Sequence, residues 1–364
     1  MQSTLTPALL SDLRKQRPYP AVTVVLPTHR RRPENEQDAI RLKNLVTEAV
    51  RQLEADPAVT AGNAEDIEER LREAVTETDL QQAGDGLVIF AARGELQTWA
   101  LCRDVPARVV LGDTFLTRNL VASAAAQRPY WVLTVAADRI ALWDGRGDDL
   151  TEYEGHGFPR TRSLEDPDVE RKEQVGDIAS TYRDEQAKRF FREADAALAE
   201  VLGEESRPLY VAGEPAALAL LDESGTAAKG AEQIPHGGMG HGSAAAVAEA
   251  VAPARAAAAQ REVAAAHEKL DAARGRKAYA AGLDEVWDAA TSGRVEHLVV
   301  EEHFRTTVRA GEGHLTPAAD DDIDAISDIV DDVVESVLEA GGEVTFVPDD
   351  SLADSGRIAA ALRF

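Results

Sequence analysis

Between residues 283 and 364 the sequence alternates helix-type and strand-type segments almost without interruption, and this alternation points to an α/β architecture. Residues 283–291 have helical spacing and 297–301 (HLVVE) read as a strand. Residues 305–317 read as a polar loop, and 320–340 as a helix with Ile323, Ile326, Ile329, Val330, Val333, Val334 and Val337 on its apolar face. The acidic run Asp320 to Asp322 suits the start of that helix electrostatically. Gly341-Gly342 ends the helix, 344–347 is a strand, a further helix is expected to begin near Ser351, and 358–364 is a last strand. Chain ends fray unless they are tied down. A chain closing on Leu362-Arg363-Phe364 is therefore expected to seat that strand inside a sheet, with Leu362 and Phe364 buried. The segment as a whole predicts a three-layer α/β/α sandwich.

Upstream, two further α/β units precede it. Residues 20–27 (PAVTVVLP) form a strand, and helical spacing from Glu36 onward places Ile40, Leu42, Leu45, Val46, Val50 and Leu53 on one face. A polar helix over 64–79, strands at 86–91 and 96–101 joined by a turn at Arg93-Gly94-Glu95, a strand within 105–111 and a helix over 115–126 complete an α/β unit of mixed strand order. A second unit opens with a hairpin, 130–136 and 139–143, turning at Ala137-Asp138, with another strand at 150–153. The polar stretch 155–181 reads as a long loop or loose helix, followed by a helix over 184–202, a strand at 209–212 and a short helix over 215–221. Residues 234–243 (IPHGGMGHGS) read as a flexible Gly-rich loop, and 244–283 as a nearly continuous Ala-rich helix linking the second unit to the third. The expected domains are 1–127, 128–253 and 254–364, three α/β domains in all.

The charge balance narrows the function classes. Of 364 residues 44% are hydrophobic, enough for ordinary cores, while the net charge of −26 disfavours non-specific nucleic-acid binding and argues against DNA as a partner. One cysteine, Cys102, excludes an internal disulfide and fits a reducing, cytoplasmic location. No apolar run approaches the roughly 20 residues a membrane span requires. No cofactor motif stands out: the HGGMGH segment lacks the Lys and Ser/Thr of a phosphate-binding P-loop. His236 and His241 have no Cys or third His beside them, His156 and His303 have no partner visible in sequence, and Asp138, Asp144, Asp148 and Asp149 all fall in turns rather than in a converging metal set. No metal site and no catalytic residue is assigned.

Against this acidic background the basic clusters are the candidate RNA contacts, because guanidinium pairs with phosphate in a bidentate manner. The densest is Arg30-Arg31-Arg32 with Arg41 and Lys43 on the following helix. A second comprises Arg183, Gln186, Lys188, Arg189 and Arg192, and a third Lys269, Arg274, Arg276 and Lys277. Pairing with nearby carboxylates on a solvated face is the ordinary alternative for each.

Three stretches carry a family resemblance. The chain closes GGEVTFVPDDSLADSGRIAAALRF, the second unit opens YWVLTVAADRIALWDG, and its long helix reads DEQAKRFFREADAALAEVL. In this order they resemble the archaeo-eukaryotic class-1 release factor superfamily, which includes Pelota-type rescue factors, and more narrowly its bacterial relatives. The family closes on Gly-x-Glu-Val, a strand, a Gly and Leu-Arg-Tyr or Leu-Arg-Phe. Its central domain is RNase H-like and opens with a strand hairpin. Its long central helix follows a Gly-Gly-Gln loop. The resemblance covers residues 129–364 and implies binding at the ribosomal A site, with rRNA and the tRNA acceptor end as partners and a translational GTPase as a further partner class.

The sequence departs from the family at its reactive motif. Two glycines let the backbone approach an ester closely, so that an amide stabilises the charge developing on the leaving group. Here Asp184-Glu185-Gln186 stands in their place, and only Gln186 is retained. The carboxylates add bulk and negative charge where an oxyanion and tRNA phosphates gather, or simply form an acidic first helical turn. The resemblance therefore implies a ribosome-associated factor for rescue, hibernation or stress that does not hydrolyse peptidyl-tRNA. The alternatives are a peptidyl-tRNA hydrolase using Gln186 in a modified loop, and an acidic protein-interaction module that has left the ribosome.

Overall fold

The computed structural model describes residues 5–30, 32–163, 178–311, 314–319 and 325–364. The chain divides into two compact units, one made of Met1–Ala126 with Val263–Phe364 and the other of Gln127–Glu262. No described helix is long and apolar enough to cross a membrane.

The amino-terminal part of the first unit comprises α1 (Pro7–Leu13), β1 (Ala21–Pro27), α2 (Asp38–Ala55), α3 (Ala61–Glu77), β2 (Gly86–Ala92), β3 (Glu95–Leu101), β4 (Arg108–Gly112) and α4 (Arg118–Ala126). Its sheet has the order β3-β2-β1-β4, with every neighbouring pair antiparallel. β1 and β2 are apolar on both faces because both are covered. Leu42, Val46, Leu53, Ile67 and Leu71 of α2 and α3 pack on one side, and Leu13, Trp99 and Phe115 on the other. β2 and β3 are joined by the two-residue turn Arg93-Gly94, where Gly94 takes φ +73° at no steric cost. Ile40 is not on the buried face of α2. It lies about 200° around the helix from Leu42 and is 61% exposed.

The second unit comprises β5 (Tyr130–Val135), β6 (Arg139–Arg146), β7 (Asp149–Glu152), β8 (Arg160–Thr161), α5 (Ile178–Glu204), β9 (Leu209–Gly213), α6 (Pro215–Ser224), β10 (Glu232–Pro235) and the first part of α7 (Ala244–Gly275). The sheet runs β10-β9-β5-β6-β7. An antiparallel meander, β5-β6-β7, is extended beyond β5 by two parallel strands, and this is the RNase H-like strand order. α5 and α6 cover one face through Phe191, Leu198 and Leu218, while Val247 and Val251 of α7 cover the other with Met239. Two expectations are corrected here. The Gly-rich stretch 234–243 is not simply a loop: β10 takes in its first residues, and Met239 and Gly240 are buried in a 3-10 turn. α5 begins at Ile178, not 184, while residues 164–177 of the expected polar segment lie outside the described residues.

The first unit is completed by the rest of α7, β11 (Tyr279–Ala281), α8 (Leu283–Thr291), β12 (Val295–Glu301), β13 (Val308–Ala310), β14 (Leu315–Pro317), α9 (Ile329–Glu339), β15 (Glu343–Val347) and β16 (Ile358–Leu362). The sheet order is β11-β16-β12-β15, so the final strand lies inside the sheet. Val286, Val333 and Val337 of α8 and α9 pack on one face, and Ala266, Leu270 and Ala273 of α7 on the other, giving three layers. Leu362 is buried, but Phe364 is 83% exposed because strand pairing stops at Leu362.

Other expectations shift with the pairing. The helix expected to run to 283 stops at Gly275, and β11 pairs with β16. The expected polar loop 305–317 contains the ribbon β13-β14. Ile326 bridges Val308, so α9 starts only at Ile329; Asp320 to Asp322 and Ile323 lie outside the described residues. The helix expected near Ser351 is a single 3-10 turn, Ala353–Ser355, ended by Gly356 at φ +68°.

Phe191 is fully buried between α5 and the sheet of the second unit. Phe191→Ala is expected to destabilise that unit by ~3–5 kcal/mol, measured as a lowered urea midpoint in tryptophan fluorescence.

Candidate nucleic-acid interface

Helix α5 carries Asp184-Glu185-Gln186, the residues that the resemblance sets against a Gly-Gly-Gln loop. Residues 184–186 lie well inside the continuous helix Ile178–Glu204. Only the first four amides of an α-helix lack an internal acceptor; later ones bond to the carbonyl four residues back. The amides at 184–186 are therefore turned along the helix and are not offered to a developing oxyanion. The composition explains this: a Gly pair costs about 1 kcal/mol per residue in a helix, whereas Asp-Glu-Gln carries a smaller penalty. The expected acidic first turn at Asp184-Glu185 is corrected accordingly, since the helix begins six residues earlier.

The side chains of Arg183 and Asp184 lie outside the described residues, as does Arg31. Gln186 and Lys188 are exposed. Arg189 Nε donates to Glu193 at 2.9 Å, Arg192 lies 3.7 Å from Glu185, and Arg160 lies 3.7 Å from the same Glu193. Such exposed pairs contribute little, ~0.2–1 kcal/mol, so these arginines exchange a carboxylate for a phosphate at small cost. Phe190 and Phe191 between them turn into the core and fix which face carries the charges.

The cluster following β1 separates into two kinds of residue. Arg30 donates from Nε and Nη2 to the two carboxylate oxygens of Asp85, each at 2.8 Å. Arg41 donates to the fully buried Asp38 at 2.6 Å, and Asp38 also accepts the His29 amide at 2.7 Å. Arg41 is thus the counter-ion of a buried carboxylate. Arg32 is 85% exposed with Glu36 4.0 Å away, and Lys43 is exposed. In the third cluster Lys269 pairs with Glu343 at 3.1 Å and Arg274 lies over the Tyr279 ring, while Arg276 and Lys277 are exposed.

The remaining candidates disperse. His241 pairs with Asp138 at 2.9 Å, whereas His236 contacts the Gly237 carbonyl, so the two histidines do not converge. The hydrogen bond from His241 lowers the pKa of Asp138. Asp144 pairs with Arg207 and Asp148 with Arg255, and Asp149 is exposed on β7. His156 lies against Tyr153 and Glu204, and His303 against Asp349.

One polar cluster escaped the sequence reading. On α9, Asp331, Asp332 and Glu335 bring carboxylate oxygens within 4.8 Å of one another. Asp331 accepts the amides of Thr117 and Arg118, Glu335 accepts the Thr117 hydroxyl at 2.8 Å, and the Arg14 guanidinium lies 3.7 Å from Glu335. The lone pairs of Asp331 and Glu335 are directed at N–H and O–H donors, with a guanidinium beside Glu335. The signal available in sequence was an acid at 331 inside the valine stripe of α9.

The two kinds of basic residue are separable by stability. Arg41→Ala, which leaves Asp38 buried with one donor fewer, is expected to cost ~1–3 kcal/mol. Lys43→Ala is expected to stay within ~0.5 kcal/mol of wild type. Urea unfolding measures both.

Residues 129–294 match the family model described as bacterial archaeo-eukaryotic release factor family 3. No curated protein matches the chain. Among solved structures it is similar to an archaeal translation termination factor, aRF1, at 19% identity over 98% of this chain and 96% of that one, with a TM-score of 0.25. It is similar to Archaeoglobus fulgidus Pelota at 18% identity over 76% and 79%, with a TM-score of 0.38. It is also similar to ribosome-bound archaeal Pelota at 18% identity over 77% of each chain, with a TM-score of 0.42. The part of the chain that is similar to bacterial archaeo-eukaryotic release factor family 3 is thus the second unit, with the start of the segment that follows it.

Proposed function

We propose that this chain is a ribosome-associated translation factor that occupies the ribosomal A site without hydrolysing peptidyl-tRNA, acting in rescue, hibernation or stress. The observation that carries the second half of this reading is the unbroken helix through residues 184–186. Hydrolysis by the release-factor route needs a backbone amide aimed at the leaving oxygen, and a helical amide is already bonded. The release-factor module at 129–294 supports the first half. In this reading the domains are 1–127, 128–253 and 254–364. Arg183, Gln186, Lys188, Arg189 and Arg192 meet RNA near the tRNA acceptor end, Arg32 and Lys43 add phosphate contacts, and a translational GTPase is the class of partner that delivers the protein.

Co-sedimentation with 70S ribosomes tests the reading. Wild type is expected in the ribosomal pellet at low salt; recovery in the supernatant under all conditions overturns the proposal. The double variant Lys188→Glu/Arg192→Glu is expected to bind more weakly and to lower the slope of log affinity against log salt by ~1–2. Ribosomes carrying a peptidyl-tRNA analogue are expected to release no peptide. Release that Gln186→Ala abolishes would establish the hydrolase instead.

A further inference from the structure

Within the first unit, α9 meets the turn that starts α4 through groups that are out of water and unequally charged. The carboxylate of Asp331, 1% exposed, takes the Arg118 amide at 2.6 Å and the Thr117 amide at 3.3 Å. It thereby caps a nine-residue helix from another element of the fold. Glu335 takes the Thr117 hydroxyl, and its side chain is 12% exposed. From the end of α1 the Arg14 guanidinium, 6% exposed, approaches Glu335 at 3.7 Å, and its Nη2 finds no hydrogen-bond acceptor among the described residues.

Arg108, Arg118 and Arg103 around the joint are engaged elsewhere. Arg108 on β4 pairs with Asp328 at 3.0 Å; Arg118 pairs with the same carboxylate at 3.5 Å and donates to the Phe304 carbonyl. Arg103 lies 3.6 Å from Glu302. His303 and Arg305 line the adjoining cleft, and His303 is held by Asp349. Glu339, one turn further along α9, is exposed and adds negative potential at Glu335. Among the described residues Arg14 is the cation paired with this cluster, in which three carboxyl groups bring oxygens within 4.8 Å of one another.

We propose that this joint is a proton-loaded latch: the Asp331, Asp332 and Glu335 cluster holds the Thr117–Arg118 turn closed while it carries protons, and releases it as the cluster fills with negative charge. One negative charge is well placed between the two amides and Arg14. A second and a third repel it in a site with little water to screen them. The direction of the titrations agrees. Burial raises Glu335 to about 7 and Asp332 to about 6, and raises Asp331 as well. The closed state thus holds more protons than the open one. Its stabilisation is complete below the ordinary carboxylate range and is lost as pH rises from about 4 to about 7. For Glu335 alone, a rise from its ordinary 4.5 to about 7 makes opening roughly tenfold easier at pH 8 than at pH 6.

Hydrogen exchange on the full chain reads the latch directly. After correction for intrinsic exchange, protection of the Thr117 and Arg118 amides is expected to fall roughly tenfold or more from pH 6 to pH 8, while the core amides of β2 change little. Glu335→Gln, which keeps an acceptor for the Thr117 hydroxyl but cannot ionise, is expected to flatten that dependence to less than about threefold. Wild-type protection at Thr117 and Arg118 that does not vary with pH overturns the proposal, and so does an unchanged slope in Glu335→Gln. If that variant does not fold, the wild-type profile decides alone.

Discussion

Asp331 is the interaction on which the arrangement of the first unit depends. A carboxylate at 1% exposure is costly to desolvate, and it is retained only where donors replace water. Here the donors are the opening amides of α4, which have no acceptor within their own helix. The two deficits cancel: α4 gains a cap, and Asp331 gains two N–H groups at the positive end of a helix. The contact joins the amino-terminal sheet of this unit to its carboxy-terminal sandwich. Asp328 and its two arginine partners extend the same joint.

Helix α7 has a comparable structural economy. Its mean composition is Ala-rich, and a linker is the plainest reading of such a segment. Yet Val247 and Val251 complete a core in the second unit, and Ala266, Leu270 and Ala273 complete one in the first. Each short apolar stripe closes the open face of a different sheet. Small side chains allow the close approach, matched in the sandwich by Ala359 and Ala361 on β16.

The chemistry proposed for the second unit turns on backbone availability rather than on any reactive side chain. Glycines would keep the chain out of a helix and its amides free. Asp-Glu-Gln lets α5 extend through residues 184–186, where the backbone has neither that flexibility nor free donors. What remains on α5 is an exposed mixture of Lys, Arg and Glu above a phenylalanine-anchored core.

The sequence by itself determined the elements whose burial leaves a period: β1, β2 and β5 as unbroken apolar runs, the valine stripe of α9, and the interior placement of β16. That residues 184–186 read Asp-Glu-Gln and contain no glycine was equally legible, being a matter of residue identity. Only the tertiary structure decided the short strands β10, β11, β13 and β14, because strands of three or four residues have too few side chains to show alternation and exist through their partners. It also decided which basic residues are spoken for: Arg41 differs from Lys43 only through the buried Asp38 it faces. The α9 cluster belongs to the same class. Asp331, Asp332 and Glu335 read as acids on a helix, and their altered chemistry arises because the start of α4 and the end of α1 close over them and remove the water.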